Sequence, residues 1–405
     1  MSARRVAVTG MGVICALGCN TAAVWNAACA GRCGIGPIHS VDVSKLRFHN
    51  GAQIRGYDPG QHFEPNRADL LDPFAQFAII AAREALRDSG LTLTRELREK
   101  TAVVTGSCIG GQTTQDAQFI ELYQRSQNRV HPLTIPRTMA NAGASQISME
   151  FGLTGPAYTI STACASANHA IGQAFWMVRA GIAELAVAGG SEAPFSLGLL
   201  KAWEAMRVIA PDTCRPFSKD RRGLILGEGA AMLILEPLDA AKARGATIYA
   251  EIAGLGMSSD AHHITQPSVG GPVRAMRAAL VDAGVAPEQI GYINAHGTGT
   301  PANDLLETRA IRELFGQHAD RLAVSSTKSL HGHALGAAGA LEAVCTILAL
   351  HEGLIPPTVN FTTPDPECDL DVVPNRARQA QVHCALSNAL AFGGLNAVLA
   401  FRAHG

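Results

Sequence analysis

Short runs of apolar, often β-branched residues alternate along the chain with Ala-rich stretches of helical periodicity. The runs predict strands at 6–9, 101–106, 157–160, 230–236, 248–257, 290–296 and 322–327, and two terminal strands near 382–387 and 396–402. The predicted helices lie near 73–89, 139–150, 272–283, 303–315 and 335–350. This regular alternation of strands and helices is typical of an α/β protein.

Two glycine pairs indicate an internal duplication. The segments AVAGGSEA at 186–193 and ALAFGGLNA at 389–397 each place a Gly-Gly pair directly after an apolar run. Repetition of a local pattern is the sequence signature of a repeated unit, although one pair of segments is weak evidence. No low-complexity linker separates the two halves. We therefore predict two fused α/β halves, 1–250 and 251–405, around one shared site.

Composition and charge exclude several classes of protein. The chain has 405 residues, 47% of them hydrophobic, and its 33 Lys and Arg against 34 Asp and Glu leave a net charge of -1. These values describe a globular protein without the basic field that nucleic-acid binding requires. The apolar stretch at 335–350 is shorter than the ~20 residues of a membrane span and contains Glu342, so we predict a buried helix and no membrane partner.

The cysteines favour a reducing compartment. The amino-terminal apolar run is too short for a signal peptide, and ten cysteines without an export signal are typical of reduced thiols in a cytoplasmic protein. Cys15, Cys19, Cys29 and Cys33 have a spacing that imitates a metal site, but no histidine accompanies them. We therefore predict no metal site.

Cys164 is the strongest candidate nucleophile. It follows a predicted strand and a tight run of small residues, and it precedes an Ala-rich helical stretch. A thiol at the start of a helix faces unpaired amide groups and the positive end of the helix dipole, so we expect a lowered pKa. His169 lies five positions later, about 140° around the helix, and is a poor candidate for a base.

Three further segments can complete a site. NAHGTGTPAND at 294–304 places His296 in a Gly/Thr turn after a strand, and SSTKSLHGHALGAAGALE at 325–342 contains Lys328, His331 and His333. Loops at strand ends on a rigid α/β scaffold are where sites are built. In SNALAFGGLNAVLAF at 387–401, the glycines after Phe392 permit close backbone approach, so the Phe392 amide can serve an oxyanion hole.

These four segments, in this order, resemble the signature motifs of the β-ketoacyl-acyl carrier protein synthases, condensing enzymes of the thiolase fold. The resemblance spans essentially the whole chain and is strongest to the elongating class, ketosynthase II. It implies a layered α-β-α-β-α architecture of two duplicated halves. The implied reaction is decarboxylative condensation of an acyl chain with malonyl-acyl carrier protein, with substrates on 4′-phosphopantetheine and no free cofactor.

The resemblance also assigns roles to matching positions. Cys164 would carry the acyl chain, His296 and His333 would assist decarboxylation, and Lys328 and Glu342 would support them. The remaining assignments are the Cys164 and Phe392 amides as oxyanion hole, Thr298 and Thr300 for the pantetheine arm, Ile109 and Leu200 for the acyl pocket, and Arg67, Arg129 and Arg207 for carrier docking. The implied assembly is a homodimer, or a heterodimer with a subunit like a chain-length factor.

Some positions depart from the common motif. Leu395 replaces a threonine and His331 stands where threonine is frequent, while ASANH at 165–169 and the segment 203–218 are similar to the nodulation-type branch, which elongates specialised acyl chains. His331 occupies a variable position and is expected at most to line the entrance.

Three other functions compete with this interpretation. A dinucleotide-dependent dehydrogenase would use Gly10 and Gly12, but Cys15 occupies the third fingerprint position. A non-catalytic partner subunit need not retain Cys164 and the two histidines. A thiolase would be expected to carry a second cysteine in place of a histidine.

Overall fold

The computed structural model describes residues 4–404. The strands are β1 (Val6–Cys15), β2 (Gly36–Pro37), β3 (Asn50–Gly51), β4 (Thr101–Gly106), β5 (Ala157–Ile160), β6 (Leu185–Glu192), β7 (Gly229–Pro237), β8 (Ala250–Ser259), β9 (Ile290–Asn294), β10 (Ala323–Ser325), β11 (Leu354–Ile355), β12 (Arg378–Gln379), β13 (Cys384–Ala391) and β14 (Leu395–Arg402).

The helices are α1 (Thr21–Cys29), α2 (Pro65–Ala68), α3 (Pro73–Asp88), α4 (Arg95–Glu99), α5 (Gln112–Tyr123), α6 (Thr134–Thr138), α7 (Ala142–Phe151), α8 (Ser166–Arg179), α9 (Leu197–Met206), α10 (Leu238–Ala243), α11 (Gly270–Ala283), α12 (Pro301–Phe315), α13 (Lys328–His331) and α14 (Ala338–Glu352). The strands and helices that the apolar pattern predicts are present, most of them within a few residues of their expected ends, whereas β1 extends to Cys15 and not only to the predicted residue 9. Among the longer elements, the pattern did not predict β6, α1, α5 and α9, and it also did not predict the short helices α2, α4, α6, α10 and α13.

The large sheet repeats one strand order. Its ten strands run β10-β9-β13-β14-β8-β1-β7-β6-β4-β5. Counted outward from the centre of the sheet, one side reads β1-β7-β6-β4-β5 and the other reads β8-β14-β13-β9-β10. Each side takes five strands from one half of the chain. In both halves the first strand lies at the centre and is followed by the fifth, the fourth, the second and the third strand of that half. The two sides meet where β1 pairs with β8 in antiparallel register, Val6 opposite Ile252.

The helices form three layers around the two sides of this sheet. α3 packs on β1, β7 and β6, α11 packs on β8 and β14, and α8 and α14 contact strands of both sides. Three apolar clusters follow the same division, because one contains α3 and α7, one contains α11 and α12, and the largest contains α8 and α14. The predicted α-β-α-β-α architecture is confirmed.

The central helix is unusually apolar. By length and composition alone, Leu335–Glu352 is the one helical segment among residues 4–404 that could cross a membrane. However, 89% of it is buried inside the protein. The prediction of a buried core helix is confirmed.

The two glycine pairs are not equivalent positions. Gly189 and Gly190 lie within β6, where a Cβ added to Gly189 would be 1.9 Å from the Ala231 carbonyl oxygen of β7. Gly393 and Gly394 form the turn between β13 and β14, with φ of 82° and 70°. The first pair therefore allows close packing of two strands, whereas the second allows a left-handed turn. The evidence for an internal duplication is the repeated strand order and not the glycine pairs.

Candidate active site

Cys164 lies at a sharp turn between β5 and α8. Ala163 has a left-handed φ of 49°, which is strained for a residue with a Cβ. The Ser166 hydroxyl holds this turn, since it donates to the Ala163 carbonyl at 2.6 Å and accepts from the Thr162 amide at 2.9 Å. The turn places the buried thiol next to a side chain from the second half of the chain.

The second half supplies two histidines to this thiol. His296 follows β9, and His333 follows β10 and the short helix α13. His333 Nε2 lies 3.1 Å from Cys164 Sγ, although the two residues are 169 positions apart. The rings of His296 and His333 have centroids 5.4 Å apart, and the sulfur and one nitrogen of each ring lie within 4.8 Å of one another. Both predicted histidines therefore face the predicted nucleophile.

The hydrogen bonds of the two rings fix their tautomers. The Leu335 amide donates to His333 Nδ1 at 3.3 Å, and the Lys328 ammonium donates to His296 Nδ1 at 3.3 Å. An Nδ1 atom that accepts a hydrogen bond carries no proton, so Nε2 carries it in a neutral ring. Burial and the positive charge of Lys328 hold the pKa of both histidines well below the usual value. The site therefore presents two neutral N–H donors.

Lys328 and Glu342 form a fully buried ion pair beside these rings. Burial raises the pKa of the Glu342 carboxyl to about 7, and the charge of Lys328 opposes that rise. A buried charge requires a partner, so each residue retains the other in place. The contact of Lys328 with His296 connects this pair to the reacting groups.

The expectation of a lowered Cys164 pKa is wrong. Burial raises the pKa of this thiol to about 11, although the charge of Lys328 and hydrogen bonds from the Phe392 and Cys164 amides lower it. α8 begins two residues later, at Ser166, and the loss of hydration outweighs the helix dipole. Cys164 is therefore a neutral thiol at rest, with two backbone amides directed at its sulfur.

A cavity of about 740 Å³, including its open mouth, contains Cys164, His296 and His333. Phe392, Thr298 and Thr300 also line it. The two threonine hydroxyls lie 2.9 Å apart. Such paired hydroxyls on one wall offer donors and acceptors to an amide-bearing ligand arm.

Two predicted pocket residues lie behind this cavity. Ile109 and Leu200 are absent from its lining and belong to one apolar cluster instead. Leu200 is fully buried there. Trp203, Val208 and Leu224 belong both to the cavity lining and to this apolar cluster, so the cluster borders the cavity.

His331 is absent from the cavity lining, so it does not reach the entrance. It is buried, its Nδ1 donates to the Gly332 carbonyl at 2.9 Å, and its Nε2 pairs with the Thr327 hydroxyl at 3.0 Å. Burial lowers the pKa of His331 to about 3. His169 bonds to Thr162 and to the Ala165 carbonyl, which supports its exclusion as a base.

Sequence reasoning missed two buried carboxylates that hold the site loops. Glu307 accepts from the His296 and Gly297 amides, both at 2.8 Å. Glu192 accepts from the Cys108 amide at 2.8 Å and from the Gly336 amide at 2.9 Å. Neither Glu192 nor Glu307 lies in a segment that the sequence analysis selected as a site motif. The signal that could have identified them was an acidic residue among otherwise apolar neighbours.

The three arginines expected to dock the carrier have different surroundings. Arg67 pairs with Glu150, whereas Arg129 and Arg207 are exposed and have no salt-bridge partner among residues 4–404. All ten cysteines are unpaired in the structure. In the described part of the chain, the group of metal-ligating side chains close enough to share an ion is Cys164, His296 and His333, and it includes none of Cys15, Cys19, Cys29 and Cys33.

Comparison with known proteins agrees with this geometry. The N-terminal domain of the β-ketoacyl synthase family matches residues 3–241, and its C-terminal domain matches residues 249–362. The chain is 49% identical to nodulation protein E of Rhizobium sp. (strain N33) over 98% of this chain and 99% of that protein. It is 40% identical to 3-oxoacyl-[acyl-carrier-protein] synthase 2 of Staphylococcus aureus (strain COL), over 98% of both chains.

A solved structure extends the likeness to the whole fold. The ishigamide ketosynthase/chain length factor superposes with a TM-score of 0.94 at 38% identity, over 100% of both chains. The matched domains cover most of the chain, and they include the turn of Cys164 and the loops of both histidines. The chain therefore belongs to the β-ketoacyl synthase family.

Proposed function

We propose that this protein condenses an acyl chain held on Cys164 with malonyl-acyl carrier protein, giving a β-ketoacyl-acyl carrier protein. The observation that carries the proposal is the contact of Cys164 Sγ with His333 Nε2 at 3.1 Å, beside the second neutral imidazole of His296. The match to the ketosynthase family and to a relative named for 3-oxoacyl-acyl carrier protein synthesis supports it. The pathway is fatty acid or polyketide elongation.

In the first step the Cys164 sulfur attacks the acyl thioester of the carrier. The carbonyl oxygen becomes an oxyanion, which the Cys164 and Phe392 amides stabilise. Collapse of this intermediate expels the carrier thiolate, which takes the proton that the Cys164 thiol loses. Because the resting thiol has a pKa of about 11, proton loss must accompany attack.

In the second step malonyl-acyl carrier protein enters and its thioester oxygen accepts hydrogen bonds from His296 and His333 Nε2. The carbon–carboxylate bond breaks, carbon dioxide leaves, and the electron pair forms an enolate that these donors stabilise. The enolate carbon attacks the acyl-Cys164 carbonyl. Expulsion of the Cys164 thiolate completes the carbon–carbon bond, and the thiolate takes one proton from solvent.

The neighbouring residues have supporting roles. Lys328, paired with Glu342, keeps a proton off His296 Nδ1 and so keeps the Nε2 donor in place. Thr298 and Thr300 bind the 4′-phosphopantetheine arm at the cavity wall. No free cofactor or metal is required, because the carrier brings both substrates as thioesters. We place the enzyme in the cytoplasm, where its free thiols persist.

The two halves of the chain supply different groups to the site. Residues 1–250 supply the nucleophile, and residues 251–405 supply both histidines and the Phe392 amide. The carrier docks through exposed cations, for which the unpaired Arg129 and Arg207 are better candidates than Arg67, which pairs with Glu150.

We further propose that the enzyme is a homodimer, or a heterodimer with a subunit like a chain-length factor. β5 is an edge strand of the large sheet and exposes Tyr158. Large apolar side chains are exposed nearby in the chain, at Phe119, Tyr123, Val130, Leu133, Ile135, Met139 and Met149. An open edge beside exposed apolar residues is typical of an interface. Light scattering after size exclusion measures the assembly, and a monomer would contradict it.

Two measurements test the reaction. Intact-protein mass spectrometry after incubation with an acyl-carrier protein should show one acyl adduct on the wild type and none on Cys164→Ala, which keeps its fold because little packing is lost. Labelled malonyl-carrier protein should release carbon dioxide, which separates condensation from thiolase chemistry. A stable adduct on Cys164→Ala, or no release by the wild type, would contradict the assignment.

A further inference from the structure

A second cavity lies apart from the reacting groups, in the first half of the chain. It has a volume of about 1220 Å³, including its open mouth, and none of its lining residues lines the cavity that contains Cys164. Its inner part is formed by buried residues, among them Ile54, Phe77, Phe195 and Glu228, whereas exposed residues form its rim. We call it the Glu228 cavity. The proposed reaction assigns it no role.

One carboxylate reaches this cavity without a counter-ion. Glu228 is 8% exposed, and its Oε1 accepts from the Ile54 amide at 2.9 Å, which is the one hydrogen bond that residues 4–404 give to this carboxylate. Burial raises the pKa of Glu228 to about 7, and no cation in the described part of the chain opposes that rise. A buried carboxylate without a cation is costly to ionise. Its Oε2 is therefore available to a donor that enters the cavity.

The two basic side chains of the lining belong to the rim. His39 and Arg55 are both exposed. The Arg55 guanidinium lies against β2, since a Cβ added to Gly36 would be 1.9 Å from its Nη2 atom. The backbone of His39 is held at the rim by its amide, which donates to Gln53 Oε1 at 2.7 Å. Neither side chain supplies the missing counter-ion of Glu228.

Aromatic rings line the same cavity as this carboxylate. They are the rings of Tyr57, Phe77 and Phe195. The Tyr57 and Phe77 rings meet edge to face, with centroids 5.1 Å apart, and the Tyr57 hydroxyl donates to Gln76 Oε1 at 2.7 Å, which holds its ring in place. Burial is the main cause that raises the pKa of the Tyr57 phenol, and the charge of Glu228 contributes. The Tyr57 ring therefore lies within electrostatic reach of the carboxylate.

A carboxylate among aromatic rings is suited to an organic cation. An ammonium donates charge-assisted hydrogen bonds to the carboxylate, and aromatic faces attract positive charge while they cover an apolar chain. An anion would meet a like charge, and an uncharged apolar ligand would leave the carboxylate unpaired. We propose that the Glu228 cavity binds a protonated alkylamine, whose ammonium pairs with Glu228 and whose alkyl chain packs on the three aromatic rings. This inference is independent of the proposed function.

The test compares a charged and an uncharged probe with the same alkyl chain. The full-length protein is titrated with hexylammonium and with 1-hexanol by isothermal titration calorimetry at pH 8.5. At this pH Glu228 is ionised, and an alkylamine with a pKa of about 10, like that of a lysine side chain, keeps its proton. We expect hexylammonium to bind the wild type at least about tenfold more tightly than 1-hexanol, the effect of a hydrogen bond to a charged group.

Three variants locate the binding. Glu228→Gln keeps an acceptor for the Ile54 amide and should weaken hexylammonium binding at least about tenfold. Tyr57→Leu should weaken it about threefold by removing an aromatic face, whereas Tyr57→Phe keeps the ring and should bind like the wild type. Glu236→Gln is the matched control. Glu236 is an equally buried carboxylate at the far end of β7, but it already pairs with Arg244 and does not line the cavity.

The outcomes decide the inference without reference to the condensation reaction. Equal affinity of the wild type and Glu228→Gln for hexylammonium overturns it, and so does equal affinity for the two probes or no saturable binding at millimolar hexylammonium. A loss confined to Glu228→Gln and Tyr57→Leu supports it. Circular dichroism shows whether each variant is folded, and should Glu228→Gln fail to fold, the contrast between Tyr57→Leu and Tyr57→Phe decides. Failure of Cys164 to become acylated would contradict only the proposed function.

Discussion

His333 and His331 are two residues apart, and the structure predicts opposite consequences for their loss. His333 presents its Nε2 proton to the cavity 3.1 Å from Cys164 Sγ. Removal of one such donor at a developing oxyanion costs about 3 to 4 kcal/mol of transition-state stabilisation, a loss of about 10² to 10³ in rate. His333→Ala should therefore lose most decarboxylation while Cys164 still becomes acylated.

His331→Ala should instead lose stability. Both of its ring nitrogens bond inside the protein, and its removal leaves the Gly332 carbonyl and the Thr327 hydroxyl buried without those partners. Unpaired buried groups cost about 1 to 3 kcal/mol each, so urea unfolding should show a loss of about 3 kcal/mol. Its decarboxylation rate, measured below the unfolding transition, should stay near that of the wild type.

The assay measures labelled carbon dioxide from malonyl-acyl carrier protein for both variants. Acyl-adduct formation serves as control for an intact nucleophile, and urea unfolding as control for the fold. The reasoning is refuted if His331→Ala is the variant with slow decarboxylation and His333→Ala is near wild type, because the donor would then lie two residues earlier in the chain.

Three further predictions concern the pocket and the buried charges. Ile109→Phe should shorten the longest acyl chain accepted, since added volume fills the cluster; an unchanged preference in an acylation series would contradict the placement. Lys328→Met should lower the free energy of unfolding in urea by about 3 to 5 kcal/mol, because Glu342 is left buried and unpaired. The double variant Lys328→Met with Glu342→Leu should recover part of this stability, and equal stability of the wild type and both variants would contradict the prediction. Burial raises the pKa of Glu228 from 4.5 to about 7, so ionisation above pH 7 costs the folded state on the order of 3 kcal/mol, a cost that disappears as pH falls toward 4.5. Glu228→Gln keeps an acceptor for the Ile54 amide and should raise the melting temperature at pH 8.5 far more than at pH 5; the reverse order would contradict the sign.

The chain by itself determined the elements and the candidate chemistry. The alternation of apolar runs and Ala-rich stretches depends on local spacing, so it located most strands and helices, including the buried helix of Glu342. The small residues before Cys164 and the Gly-rich loops of His296 and His333 are local too, and they identified the reacting residues without knowledge of their contacts.

Only the tertiary structure decided how those residues behave. Desolvation, which raises the Cys164 pKa to about 11 where the helix start predicted a decrease, depends on everything packed around the sulfur. The separation of His331 from His333, the role of Glu307 beneath His296 and the stacking of Trp203 on Phe392 likewise arise between segments far apart in sequence. Local spacing determines which side chains a segment offers, whereas burial and long-range contact determine their charge state and their partners.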